Sequence, residues 1–175
     1  KKLAIFLNLL KIQLNDKKLS IAIFPQINFP KKWSDFHDVE LISEYVDEIV
    51  LMCYDFNRPG TKPGPITEIN WARKNIEYVL KYFKPHQVWL GIPAYGYKWS
   101  KNHRTSTISA KRGVKQASQY GSIRHSSENI YYSYTKSHKQ YRIYFSDKNT
   151  RKKLSQLADE ARLAGTALWR LGLED

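Results

Sequence analysis

Asp55 follows an apolar run, Ile49-Val50-Leu51-Met52-Cys53-Tyr54, and a carboxylate in that position must be solvated, paired or turned toward a ligand. Tyr54, Pro93, Tyr95, Trp169 and Glu174 fall at comparable places, each at or just beyond the end of an apolar segment. The sequence holds twelve Tyr and five Trp, more than packing usually needs, and such amphipathic rings often line surfaces that stack on sugars or bases. Core packing accounts for most of them equally well, and composition alone favours it for Tyr54 and Trp169. A second group of carboxylates, Asp35, Asp38 and Glu40, lies in a polar stretch without strand hydrophobics to aim it into a site. It reads as the solvated start of a helix, where early acids suit the helix dipole. His37, His86, His103, His125 and His138 show no metal-ligand spacing, Cys53 is the lone cysteine, and no Gly-rich phosphate loop occurs. Neither a metal nor a cofactor is expected.

These residues depend on the elements that carry them. Leu3, Phe6, Leu7, Leu10 and Leu14 recur at helical spacing and predict an amphipathic helix over residues 1–14 rather than a leader peptide. Four short apolar runs read as buried strands: residues 19–24, 48–54, 87–93 and 166–171. Between them the spacing predicts a short helix over 39–45, a firm helix over 69–83 and another over 149–163, with Gly165 as its stop. Pro59, Gly60, Pro63, Gly64 and Pro65 make 57–65 a loop. Residues 97–135 are polar, basic and weakly patterned, and 141–145 alternate like a strand.

Strands alternating with helices imply a parallel α/β sheet, either an open doubly wound sheet or part of a (β/α)₈ barrel. A full barrel needs about 250 residues, and 175 supply roughly half of its units. In both architectures ligands gather at the C-terminal strand ends, where Tyr54, Asp55, Tyr95 and Trp169 would converge. The first residue is Lys rather than Met, as expected of an excerpt or processed product. The net charge of +13 admits a polyanionic partner, but the 29 Lys and Arg are scattered. Their densest runs, 98–104 and 111–115, fall in the weakly patterned segment, and no specific nucleic-acid binding is expected. No apolar stretch reaches the length of a membrane span. Cys53 reads as a core residue.

Taken together, these motifs resemble glycoside hydrolase family 18. Met52-Cys53-Tyr54-Asp55 is similar to the Met-x-Tyr-Asp signature of its sixth barrel strand, and Pro63-Gly64-Pro65 to the turn that follows. The segment Gly91-Ile92-Pro93-Ala94-Tyr95-Gly96 with trailing Trp99 resembles its seventh strand, residues 165–175 its eighth, and residues 19–25 its fifth. The resemblance implies a partial (β/α)₈ TIM barrel, strands five to eight, formed by one domain over 1–175 with a reduced α+β insertion at 97–145. It implies substrate-assisted retaining hydrolysis of β-linked N-acetylglucosamine glycans, chitin-like or peptidoglycan-like. Tyr54 would bond the substrate acetamide, Asp55 would hold substrate hydroxyls, Trp169 would stack beneath the sugar, and Met52 and Tyr95 would complete the wall. Glu174 is carried as a further substrate contact.

The family's Asp-x-x-Asp-x-Asp-x-Glu strand is absent from these residues, and 35–40 match it only superficially. The chain alone is therefore expected to be inactive, and a non-catalytic, lectin-like relative is the alternative. The ending Trp169 to Asp175 looks most like the bacterial spore and cell-wall branch of the family. That branch implies extracellular or cell-wall action on an N-acetylglucosamine-containing saccharide.

Overall fold

The computed structural model describes residues 2–100 and 104–175. Lys1 of the first helix and Lys101, Asn102 and His103 of the basic run lie outside the described residues. The chain folds as two compact units, one of Lys1–Cys53, Trp71–Gly91 and Ser155–Ala167, the other of Tyr54–Asn70, Ile92–Leu154 and Leu168–Asp175.

Parallel pairing organises the first unit. Strands β1 (Ser20–Ile23), β2 (Glu48–Met52), β3 (Val88–Pro93) and β9 (Gly165–Trp169) form one sheet in that order. The β1–β2 and β2–β3 pairs are parallel, with Ile21 opposite Ile49 and Leu51 opposite Leu90. Ile23, Ile49, Leu51, Val88 and Leu90 are buried, each contributing about 1.5–3 kcal/mol of transfer free energy. The strands read as buried in the sequence are found, but β1 and β9 are the edges of this sheet and remain largely half-exposed.

Helix α1 (Lys2–Leu14) buries Ala4 and Leu7. Phe6, expected on that stripe, is 58% exposed and shares the opposite face with Ile5, Leu9 and Ile12. Two short helices, α2 (Lys31–Ser34) and α3 (Val39–Ser43), occupy the polar stretch. Asp38 caps α3 by accepting from Leu41 N–H, so this acidic stretch begins a helix as its composition indicates. Helix α4 (Ile69–Val79) carries a buried Asn75 whose hydrogen bonds are all met. Its Oδ1 accepts from Gln26 and Ile27 N–H, and its Nδ2 donates to the Ile27 and Trp71 carbonyls. That pins the loop after β1.

Helix α6 (Lys148–Glu160) does not use Gly165 as its stop. Arg162 takes the left-handed position (φ +53°), and Leu163 N–H reaches back to the Ala158 carbonyl, closing a Schellman-type end. Gly165 instead opens β9 against Trp89, whose ring lies 3.0 Å from where a Cβ would stand.

Residues 97–135, weakly patterned in sequence, fold into regular elements of the second unit. It holds an antiparallel sheet in the order β5 (Thr105–Ser109), β4 (Tyr95–Ser100), β8 (Lys139–Phe145), β7 (Ile130–Lys136), β6 (Ile123–Arg124). Helix α5 (Ala110–Tyr120) packs on it through Ala110, Gly113 and Ala117, with Ile108, Ile143 and Phe145 in the same core. Gly96 permits the β4–β8 approach: a Cβ there would meet the Tyr144 carbonyl at 2.1 Å. The β7–β8 hairpin turns through Ser137 and His138, both at positive φ, as a two-residue primed turn requires.

His37 makes stability depend on pH. It is buried, and its Nδ1 accepts a hydrogen bond from Phe24 N–H at 3.2 Å, which only the neutral ring can do. Burial lowers its pKa from 6.5 to about 4. The unfolded chain therefore takes up the proton first. The contribution is full above pH 6.5 and is lost as pH falls through about 4, amounting to about 3 kcal/mol. Denaturant titrations at pH 7 and pH 4 should show this loss in the natural protein and a much smaller one in His37→Gln. Equal losses in both would remove the assignment.

Candidate functional site

Asp55 is held at φ +61°, a left-handed conformation that Asp tolerates better than most residues but still at a cost. The loop behind it accounts for this. Phe56 N–H donates to the Ile66 carbonyl, Asn57 N–H and Nδ2 both donate to the Pro65 carbonyl, and Arg58 Nη1 donates to the Asp55 carbonyl. Asn129, fully buried, secures the loop from the other side, accepting from Ile66 N–H and donating to the Thr67 carbonyl. Strain maintained by so many bonds is a mark of a functional position.

The carboxylate is oriented by two phenols on one face of β4, two residues apart. Tyr95 and Tyr97 both donate to Asp55 Oδ1, at 2.6 and 2.8 Å. Burial, reinforced by the Asp55 charge, pushes both phenols well above the ordinary tyrosine range, so they remain donors at any working pH. Among the described residues Oδ2 accepts no hydrogen bond, which leaves it for a ligand. Tyr54 packs edge-on against Tyr95, with ring centroids 6.3 Å apart. Behind them Tyr97, Trp99 and Tyr144 continue the same edge-to-face packing.

Trp169 reaches this site because its carbonyl accepts from Ala94 N–H at 2.7 Å, and it stays 53% exposed. Its peptide bond to Arg170 is cis. Asp55, Tyr95, Tyr97, Trp169, Arg170 and Arg112 line one cavity of about 480 Å³. The cavity thus combines a carboxylate, buried phenols, guanidinium groups and a flat apolar ring, a mixture suited to a polar ligand with one apolar face.

The sequence-derived residues are distributed as follows. Asp55, Tyr95 and Trp169 share the cavity, with Tyr54 packed beside Tyr95. Met52 ends β2 and is half-buried in the first unit. Glu174 is half-buried next to the cavity-lining Leu173, with Oε2 buried and without a partner among the described residues. Tyr97, Arg112 and Arg170 were not singled out. Tyr97 was signalled only by its two-residue spacing from Tyr95. Among the described residues no group of His, Cys, Asp and Glu is arranged to hold a metal ion, and no helix is long and apolar enough to cross a membrane.

The sequence model of Glycosyl hydrolases family 18 matches residues 1–174. Uncharacterized glycosylase YvbX of Bacillus subtilis (strain 168) is 32% identical over 149 residues, covering 81% of this chain and 43% of that protein. The Cortical fragment-lytic enzyme of the same organism is 26% identical over 167 residues, covering 89% and 39% respectively. The crystal structure of the Bacillus megaterium QM B1551 spore cortex-lytic enzyme SleL superposes with a TM-score of 0.86 at 24% identity, over 98% of this chain and 42% of that one. The chain spans about four-tenths of the length of the curated relatives it matches. It has an α/β fold with one partly parallel and one antiparallel sheet, and it belongs to family 18 of the glycosyl hydrolases.

Proposed function

We propose that this chain forms strands five to eight of a (β/α)₈ barrel, with residues 97–145 as an insertion after the seventh. With the rest of that barrel it hydrolyses β-linked N-acetylglucosamine glycans. The observation that carries the reading is the Asp55 carboxylate, fixed by two buried phenols and facing a cavity that also exposes Trp169. A pyranose offers hydroxyls to the first and an apolar face to the second.

In the proposed reaction the substrate's acetamido oxygen attacks the anomeric carbon while the glycosidic bond breaks, and a carboxylic acid protonates the leaving oxygen. Water then opens the cyclic intermediate from the opposite face, so the β configuration is retained. Tyr54 aligns the acetamide, Asp55 holds a hydroxyl and steadies positive charge near the reacting carbon, and Trp169 supports the distorted ring. Met52, Tyr95 and Glu174 are further contacts. The proton donor comes from residues outside these 175. The substrate is an extracellular or cell-wall glycan, a reading supported by the relative named Cortical fragment-lytic enzyme.

The test is the anomer of the first product, read by proton NMR on the natural full-length protein with N-acetylglucosamine oligomers and peptidoglycan fragments. The β anomer is expected. The α anomer would contradict the mechanism, and binding without cleavage would support the lectin-like alternative.

A further inference from the structure

The two faces of the antiparallel sheet are built for different ligands. Side chains alternate along β4, so Tyr95 and Tyr97 turn to Asp55, while Lys98, opposite Ile143, turns to the side on which α5 packs. On that second face a recess of about 400 Å³ lies between α5 and the β7–β8 hairpin, lined by Lys98, Arg112, Lys136 and Lys139 and by no carboxylate. A smaller recess of about 220 Å³ shares Lys98 and Tyr141 with it and adds Arg104 and Ser106. Ser106 stands opposite Lys98 in the β4–β5 register, which puts both on the same face. The two recesses form one basic groove running across the strands.

Among the described residues none of these five cations forms an ion pair. Elsewhere in that unit Arg124, Arg151 and Lys153 each pair with an acid, at 2.7, 2.6 and 2.8 Å. Lys136 and Lys139 even stand opposite each other in the β7–β8 register, where like charges repel and a bound anion would relieve them. The neutral groups add donors. Tyr132, 2% exposed, donates its hydroxyl to Gln116 Oε1, so the Gln116 amide offers its NH2 to the recess. Ammonium, guanidinium and NH2 groups only donate, which suits an anion rich in acceptor oxygens better than the mixed hydroxyls of a sugar.

The aromatic wall is already stacked on itself. Tyr134 stacks with Tyr120 and with Tyr141, at centroid distances of 4.5 and 5.0 Å, and Lys98 Nζ lies 5.4 Å from the Tyr141 centroid. Rings engaged in this way stiffen the groove and leave little face for nucleic-acid bases. From these observations we infer that the groove binds a base-free polyphosphodiester, of the polyol phosphate kind, at a site separate from the Asp55 cavity. Successive phosphates meet Arg104, then Lys98 with Arg112, then the Lys136 and Lys139 pair. The net charge of +13 favours the same class of partner, and a concave groove suits a chain better than the flat surface of a bilayer. The chain is thereby held on an anionic matrix while the Asp55 cavity stays open to its own ligand.

The test is a calorimetric titration of the natural full-length protein with a glycerol phosphate octamer. Saturable binding is expected, weakening as salt rises and displaced by inorganic phosphate more effectively than by chloride at equal ionic strength. Lys136→Gln/Lys139→Gln removes a repelling pair at an exposed hairpin end and should melt as the natural protein does, yet bind the octamer about tenfold more weakly. Lys98→Gln should weaken it similarly. Lys31→Gln/Lys32→Gln, an equal loss of charge on exposed positions of α2, should bind as the natural protein does. Equal losses in the hairpin and α2 variants, or in neither, would reduce the attraction to net charge and overturn the site. Tighter binding of single-stranded DNA with the same number of phosphates, or of anionic phospholipid vesicles, would overturn it in favour of a nucleic-acid or a membrane surface. Displacement of the octamer by the N-acetylglucosamine tetramer would overturn its separation from the Asp55 cavity. None of these outcomes depends on glycan cleavage.

Discussion

Asp55→Asn is expected to lower glycan turnover by about 10²–10³-fold while leaving the fold intact. Asn tolerates the left-handed backbone at this position, and its side-chain carbonyl accepts from Tyr95 and Tyr97 as Oδ1 does now. The charge is lost, and the second oxygen, an acceptor, is replaced by an NH2 donor. Asp55→Ala should behave differently. It strands two buried phenols, costing roughly 2–4 kcal/mol, and puts a Cβ-bearing residue without a compensating side chain at φ +61°. Thermal unfolding separates the two cases: the Ala variant should melt several degrees lower and the Asn variant close to the natural protein. An Asn variant with natural turnover would remove Asp55 from the chemistry, and an Ala variant with unchanged melting would deny its structural role.

Trp169→Ala carries the second large effect, on binding rather than stability. The side chain is more than half exposed, so its removal leaves little cavity and should cost under about 1 kcal/mol of folding free energy. A stacked Trp at the centre of a site is commonly worth 2 kcal/mol or more, which corresponds to an affinity loss of about thirtyfold for N-acetylglucosamine oligomers. Trp169→Phe should recover part of it, because a smaller flat face remains. With five Trp in the chain, the part of the intrinsic-fluorescence change on oligomer titration that disappears in Trp169→Ala reports this residue. An Ala variant with natural affinity would place the sugar elsewhere.

How much of this site could be read beforehand follows the range of the interactions concerned. Strand ends are local features, so Tyr54 and Asp55 stood out where the apolar run 49–54 stops, as did Trp169 at the end of its own run. The bond from Tyr97 to Asp55 spans 42 positions, and nothing near residue 97 announces its partner. The resemblance implied an α+β segment at 97–145, but its individual strands, apart from 141–145, were not legible for the same reason. β4 pairs with β5 nearby but also with β8 far along the chain, as in Gly96 opposite Phe145, and the β7–β8 hairpin turns on Ser137 and His138 without the Gly or Asn that usually marks such a turn. Local periodicity placed α1 but not both of its faces, since Ile5, Phe6, Leu9 and Ile12 are as apolar as the buried stripe. Arg162 takes the helix-ending conformation that the sequence predicts for Gly165, and Gly165 stands instead where β9 passes Trp89.

Whether the Asp55 and Trp169 cavity holds an N-acetylglucosamine unit is decided by titrating the natural full-length protein with N-acetylglucosamine oligomers and peptidoglycan fragments. Cleavage is followed in the same samples. Saturable binding that Trp169→Ala weakens, and turnover that Asp55→Asn suppresses, are expected. Failure of both substrate classes to bind or to be cleaved would contradict that assignment.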